Sequence, residues 1–157
     1  MKVKLIVVGK TAFDYLKEGE SVYENRLIHY TNYERILIPD VKSPKNFSTE
    51  ELKKKEGESI LAKITNQEYV VLLDEKGKSF TSVSFANWIN QKINENVSVL
   101  TFIIGGAYGF SKELYERANQ KISLSVMTYS HQLVRVIFLE QLYRAHTILK
   151  GEPYHHE

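Results

Sequence analysis

The chain has no cysteine, which removes a disulfide framework, a thiolate metal site and a cysteine nucleophile together. No apolar run is long enough to cross a bilayer, because Arg135 interrupts the longest late candidate, LVRVIFL. In MKVKLIVVGK basic residues precede an apolar run, but LIVV is far too short for the core of a signal peptide. It reads as a first strand, and a cytoplasmic location is the expectation. Chemical signatures are missing too: there is no G-x-G-x-x-G, no Lys-Ser/Thr after a glycine loop, no HExxH and no convincing Ser-His-Asp set. Neither sign of charge dominates. Lys and Arg total 21 against 19 Asp and Glu, a net charge of +2, which allows a nucleic-acid partner without demanding one.

What is present suits one globular domain spanning residues 1–157, with 43% hydrophobic and 25% charged residues. Five apolar, β-branched runs, KLIVVG, RILIP, YVVLLD, VSVLTFIIG and ISLSVM, alternate with helical segments. That alternation predicts an α/β fold with a mostly parallel sheet flanked by helices. Ser48-Thr49-Glu50-Glu51 is a capping-box pattern opening a lysine-rich helix to about Ile64. Thr81 or Ser82 caps a second helix that places Phe85, Trp88, Ile89 and Ile93 on one stripe. The last helix, from about Ser130 to Leu149, has hardly any purely polar side. A chain this small cannot easily surround its own helix, so a second copy is expected to cover the remaining face.

Three turns follow strands, where open parallel sheets bind ligands. They are Leu73 to Lys78, the glycine turn Gly105 to Gly109, and Leu124 to Tyr129 with Ser125 and Thr128. Each alone reads as a surface turn, the glycines supplying positive φ; together they predict a pocket at one sheet edge. A fourth cluster lies late in the chain, with His131, Arg135, Glu140, Arg144, His146 and the closing EPYHHE. Glu140 and Arg144 are spaced for a helical ion pair. Arg135, set among apolar residues, must meet a carboxylate, a backbone carbonyl or a ligand anion. Two adjacent imidazoles make a poor zinc site, and no metal is expected.

The stretches YVVLLDEKGK, FIIGGAYGFS, LSVMTYSHQLVRVIFLEQLYRAHTILKG and EPYHHE closely resemble the RlmH family of SPOUT-class methyltransferases. These bacterial enzymes methylate N3 of a pseudouridine in large-subunit ribosomal RNA. The resemblance covers nearly the whole chain. It implies a C-terminal trefoil knot, and S-adenosylmethionine bound in the knot loops at Leu73, Gly105, Leu124, Ser125, Val126, Met127, Thr128 and Tyr129. Such a cofactor carries no phosphate, so glycine would admit it against bare backbone without a Walker lysine. The resemblance further implies a homodimer in which the tail of one subunit completes the site of the other. His155 is then the candidate base, Arg144 and Arg135 stabilise ring oxygens or a phosphate, and Tyr154 offers a stacking surface. The implied partner is ribosomal RNA of the large subunit in the assembled ribosome, with no membrane. A SPOUT enzyme of transfer RNA and a non-catalytic RNA-binding module are the alternatives.

Overall fold

A computed structural model describes residues 1–156. Its sheet has five strands, β1 (Lys2–Val8), β2 (Asn32–Ile38), β3 (Tyr69–Ser79), β4 (Val99–Ile104) and β5 (Gln120–Ser123), in the order β2-β1-β4-β3-β5. Every neighbouring pair is parallel. The helices are α1 (Asp14–Leu27), α2 (Thr49–Leu61), α3 (Ser82–Asn94), α4 (Lys112–Arg117) and α5 (Leu133–Leu149).

The near-continuous apolar sequence of β1 and β4 follows from burial on both faces, which parallel sheets require. Val3, Leu5 and Val7 of β1 join a core with Leu27 of α1, Phe85 and Trp88 of α3, and Phe138 and Leu142 of α5. Ile6 and Val8 turn the other way, toward Ile60 of α2 and Leu114 of α4. Lys4 also lies within the sheet, and its ammonium is satisfied by Glu68 at 2.7 Å and the Lys63 carbonyl at 3.0 Å. Glu68 in turn accepts from Thr101 on β4 and sits below the usual carboxylate range; burial opposes that shift, but the Lys4 and Thr101 bonds outweigh it.

All five anticipated strands form, with one shortened. Only residues up to Ser123 of the ISLSVM run pair, so Leu124 to Tyr129 leave the sheet as loop. The capping box is formed, with Glu51 N–H donating to Ser48 and Ser48 N–H to Glu51. Helix α2 ends at Leu61, short of Ile64. Thr81 caps α3, but Ile93 faces outward at 41% exposure while Phe85, Trp88 and Ile89 are buried.

Helix α5 is covered only in part within one chain: Phe138, Leu139 and Leu142 are buried, while Leu133 is exposed and Val134, Ile137 and Leu149 are half-buried. It starts at Leu133 and lies between α1 and α3 on one sheet face, so the chain's own neighbours cover its flanks. Gly19 of α1 permits this: a Cβ there would lie 3.2 Å from Val136. Among the described residues no helix is long and apolar enough to cross a membrane.

Candidate methyl-transfer site

The middle of β3 and the carboxyl ends of β4 and β5 border one cleft of about 760 Å³, inside the usual range for small-molecule sites. β4 and β5 contribute the turns that follow them, whereas Leu73 to Lys78, expected as a turn after the third strand, belong to β3 itself as a bulged stretch. From β3 come Leu73 and Asp74, from β4 the loop from Gly105 to Phe110, and after β5 the residues Leu124, Ser125, Met127, Thr128 and Tyr129. The three expected segments therefore meet in one cleft, two of them as turns and one as a bulge of β3. Val126 is the exception: it does not line the cleft, and its side chain is 94% exposed.

Local chemistry shapes each wall. In β3, Leu73 and Lys78 both lie opposite Ile122, so Asp74 to Gly77 bulge out of the ladder toward the cleft. A Cβ on Gly77 would sit 2.5 Å from the Ile122 nitrogen, which requires glycine. After β5, Ser123 Oγ donates to the Ser125 carbonyl and Ser125 Oγ accepts from Met127 N–H, both at 2.9 Å. These bonds hold the loop away from a regular ladder and leave backbone groups facing the cleft.

The glycine turn is built differently from the reading in which all three glycines supply positive φ. Only Gly109 has positive φ, at 85°. Gly105 is small because a Cβ would lie 2.9 Å from Phe110 Cε1, and Gly106 because one would lie 2.7 Å from Glu56 Oε2. The side chains that exclude a Cβ are thus the protein's own. Tyr115 of α4 closes the rim by donating to Asp74; burial first, then this bond, pushes its phenol up to about 12.

A second cluster forms far along α5. Arg144 grips Glu140 Oε1 at 2.5 Å, and Tyr154 donates to the same oxygen at 3.1 Å. The Arg144 guanidinium lies 4.8 Å from the Tyr154 ring centroid and 3.3 Å from His155 Nδ1. A guanidinium only donates, so Nδ1 of a neutral His155 accepts here, and the partner assigns the ring proton to Nε2. Val134 lines the cleft and Arg144 follows ten residues later, so the two ends lie about 15 Å apart along the helix.

Arg135 belongs to neither cluster, which corrects its assignment to ring oxygens or a phosphate. It is 0% exposed and donates to the Gly9 carbonyl at 2.9 Å, to Thr11 at 3.1 Å and to the Val8 carbonyl. Of the three partners the sequence allowed, backbone carbonyls are the ones it meets. Burial lowers its guanidinium below the ordinary value, and its charge is answered by nearby Glu20, which bonds Thr11 and Arg35 at 2.7 Å.

The family model described as "Predicted SPOUT methyltransferase" matches residues 1–155. The chain belongs to the SPOUT methyltransferase family. A "Ribosomal RNA large subunit methyltransferase H" of Parabacteroides distasonis is 52% identical over 157 residues, covering all of both chains. Relatives of the same name from Christiangramia forsetii and Bacteroides fragilis are 53% and 47% identical, covering 99% and 100% of both chains. The RlmH resemblance is borne out, and this SPOUT methyltransferase is an enzyme by family.

The structure also adds residues to the cleft of this SPOUT methyltransferase. Lys53 reaches it from α2, and Tyr108, Tyr115 and His131 line it as well. Lys53 carried no usable signal, since it lies in a run of lysines interleaved with glutamates. Tyr115 was recoverable in principle, lying one helical turn beyond the Ser111 cap.

Proposed function

We infer that this protein transfers a methyl group from S-adenosylmethionine to N3 of a pseudouridine in large-subunit ribosomal RNA, the RNA being met in the assembled ribosome. The observation that carries the reading is the meeting of the β3 bulge with the turns after β4 and β5 in one cleft, in a chain whose relatives are named for methylation of that RNA. The reading takes the chain as one SPOUT domain over residues 1–157, working in the cytoplasm. It includes a trefoil knot near the C-terminus. Support for the knot comes from the path of the chain, which leaves β5 at one sheet edge and returns to lie beside the β1–α1 loop. There Gln132 bonds Ala12 N–H at 2.8 Å and the Lys10 carbonyl at 3.2 Å.

The cleft fits the cofactor. Leu73, Ile104 and Leu124 supply apolar wall, and Gly105, Ser125, Met127, Thr128 and Tyr129 supply backbone close to the ligand. Val126 is left outside the pocket, its side chain facing solvent. When bound, S-adenosylmethionine supplies an electrophilic methyl on a cationic sulfur. The protein's part is to hold the target ring in line with it, where positioning supplies most of the acceleration. Arg144 and the His155 Nε2–H face developing negative charge on the ring oxygens, Tyr154 stacks on the base, and water or a His155 released from Arg144 takes the N3 proton.

One subunit cannot do this alone, because its own tail cluster is about 15 Å of helix away from its cleft. A homodimer places the tail of one copy at the cleft of the other. Exposed Phe13, Tyr15, Met127 and Leu133 are apolar surface available for such a contact. The test uses ribosomes from a strain lacking this gene, incubated with protein and S-adenosylmethionine and then mapped by mass spectrometry. A single added methyl on a large-subunit pseudouridine supports the reading. Methylated transfer RNA in its place, or no calorimetric binding of the cofactor, overturns it.

A further inference from the structure

The glycine loop that walls the cleft is fastened at both ends to two adjacent residues of α2. At its start, the Gly106 N–H donates to Glu56 Oε1 at 2.9 Å. At its end Ser111, which caps α4, packs against Gly57 so closely that a Cβ there would lie 2.3 Å from Ser111 Oγ. Helix α2 is itself anchored to the core through Ile60 and reaches the cleft directly through Lys53, one turn before Glu56. Between the two fastenings Ala107, Tyr108 and Gly109 are exposed and carry the cleft wall.

We propose that Glu56 is a positioning residue, its carboxylate holding the Gly105–Ser111 loop in the shape that receives the cofactor, and that the Glu56-Gly57 pair makes α2 the loop's support. The proposal rests on the reading of the cleft as the S-adenosylmethionine site. Glu56 does not line the cleft itself, so it acts through the Gly106 amide. Gly106 also has to be glycine for this bond, because a Cβ would occupy the space of the Glu56 carboxylate. A half-buried carboxylate that accepts a main-chain N–H is otherwise an expensive residue, and burial together with Asp40 raises its pKa although the Gly106 bond lowers it. Its retention beside a ligand loop is accounted for by that single bond.

Two substitutions separate the possibilities. Glu56→Gln keeps an acceptor in place and Glu56→Ala removes it. In calorimetry with S-adenosylmethionine, Glu56→Ala is expected to weaken binding by about tenfold, the loss of one charge-assisted hydrogen bond, and Glu56→Gln to stay within about threefold of wild type. Turnover at saturating cofactor should stay within about twofold for both, a KM effect rather than a kcat effect. Wild-type affinity in a folded Glu56→Ala protein would overturn the proposal. Should that variant fail to fold, the Gly106 amide proton of the wild type decides by NMR. It should move as the Glu56 carboxyl titrates, above the ordinary glutamate range, and an unmoved resonance would overturn the proposal. Wild type that binds no cofactor would instead sink the functional reading, while the Gly106 titration would still judge the clamp.

Discussion

Tyr154 donates its hydroxyl to Glu140 Oε1 at 3.1 Å, the oxygen that Arg144 holds at 2.5 Å, so one carboxylate docks both the tail and the Arg144 guanidinium. The shared oxygen ties together residues on α5 and residues beyond it. Tyr154 is raised above its ordinary value by burial and by hydrogen bonds to Tyr23 and Glu140, so it stays a neutral donor at working pH.

Removing that carboxylate should loosen the tail without touching the cleft. Glu140→Ala is expected to lower kcat by about tenfold, the value of one charge-assisted bond, with S-adenosylmethionine affinity unchanged. Steady-state kinetics and calorimetry on the same preparation check it. A variant with weakened cofactor binding and normal kcat would reverse the assignment.

Arg135 should behave as a core residue. Arg135→Met leaves the Val8 and Gly9 carbonyls without the guanidinium that donates to them, and a loss of about 3 kcal/mol is expected. Urea unfolding measures it. A stable Arg135→Met protein with weakened RNA binding would return Arg135 to the substrate.

Gly105→Ala puts a methyl 2.9 Å from Phe110 Cε1, and overpacking of this kind costs about 1–3 kcal/mol. Pairing it with Phe110→Leu should recover part of that loss, a coupling visible in a double-mutant cycle. Additive losses would show that Phe110 is not what keeps position 105 small.

His146 is buried and, desolvation first and Lys150 second, its pKa is lowered from 6.5 to about 4. The folded state resists protonation more than the unfolded chain does. The stability this contributes is therefore complete above about pH 6.5 and is lost as pH falls toward 4, by about 3 kcal/mol at most. His146→Leu should flatten the pH dependence of the urea midpoint in that window. An unchanged slope would contradict the burial argument.

The layered α/β architecture was legible because parallel strands buried on both faces must be apolar throughout, as KLIVVG and VLTFII are. The meeting of three segments followed from the same geometry, although Leu73 to Lys78 is a bulge of β3 and not a turn. The bonds that shape them were not legible, since they join residues distant in the chain. Nothing near Gly106 points to Glu56, 50 positions earlier. Arg135 was flagged as needing a partner, but a side chain among apolar neighbours reads the same whether it caps β1 or reaches a phosphate. The close approach of α1 to α5 was not legible either, since it depends on Gly19 meeting Val136, far along the chain.

The central claim, that the tail of one copy completes the cleft of the other, is tested by mixing two inactive subunits. One lacks residues 153–157 and the other carries Thr128→Trp to fill the cleft. A terminal segment contributes little core, so the truncated subunit should fold and bind S-adenosylmethionine. The two are co-expressed under separate tags, the mixed dimer is purified, and methyl transfer to ribosomes is measured. Sharing across the dimer predicts one working site per mixed dimer, about half of wild-type activity, because an intact cleft then meets an intact tail. A verified mixed dimer with no activity, both parents being folded, would mean that each tail serves its own cleft and would contradict the account.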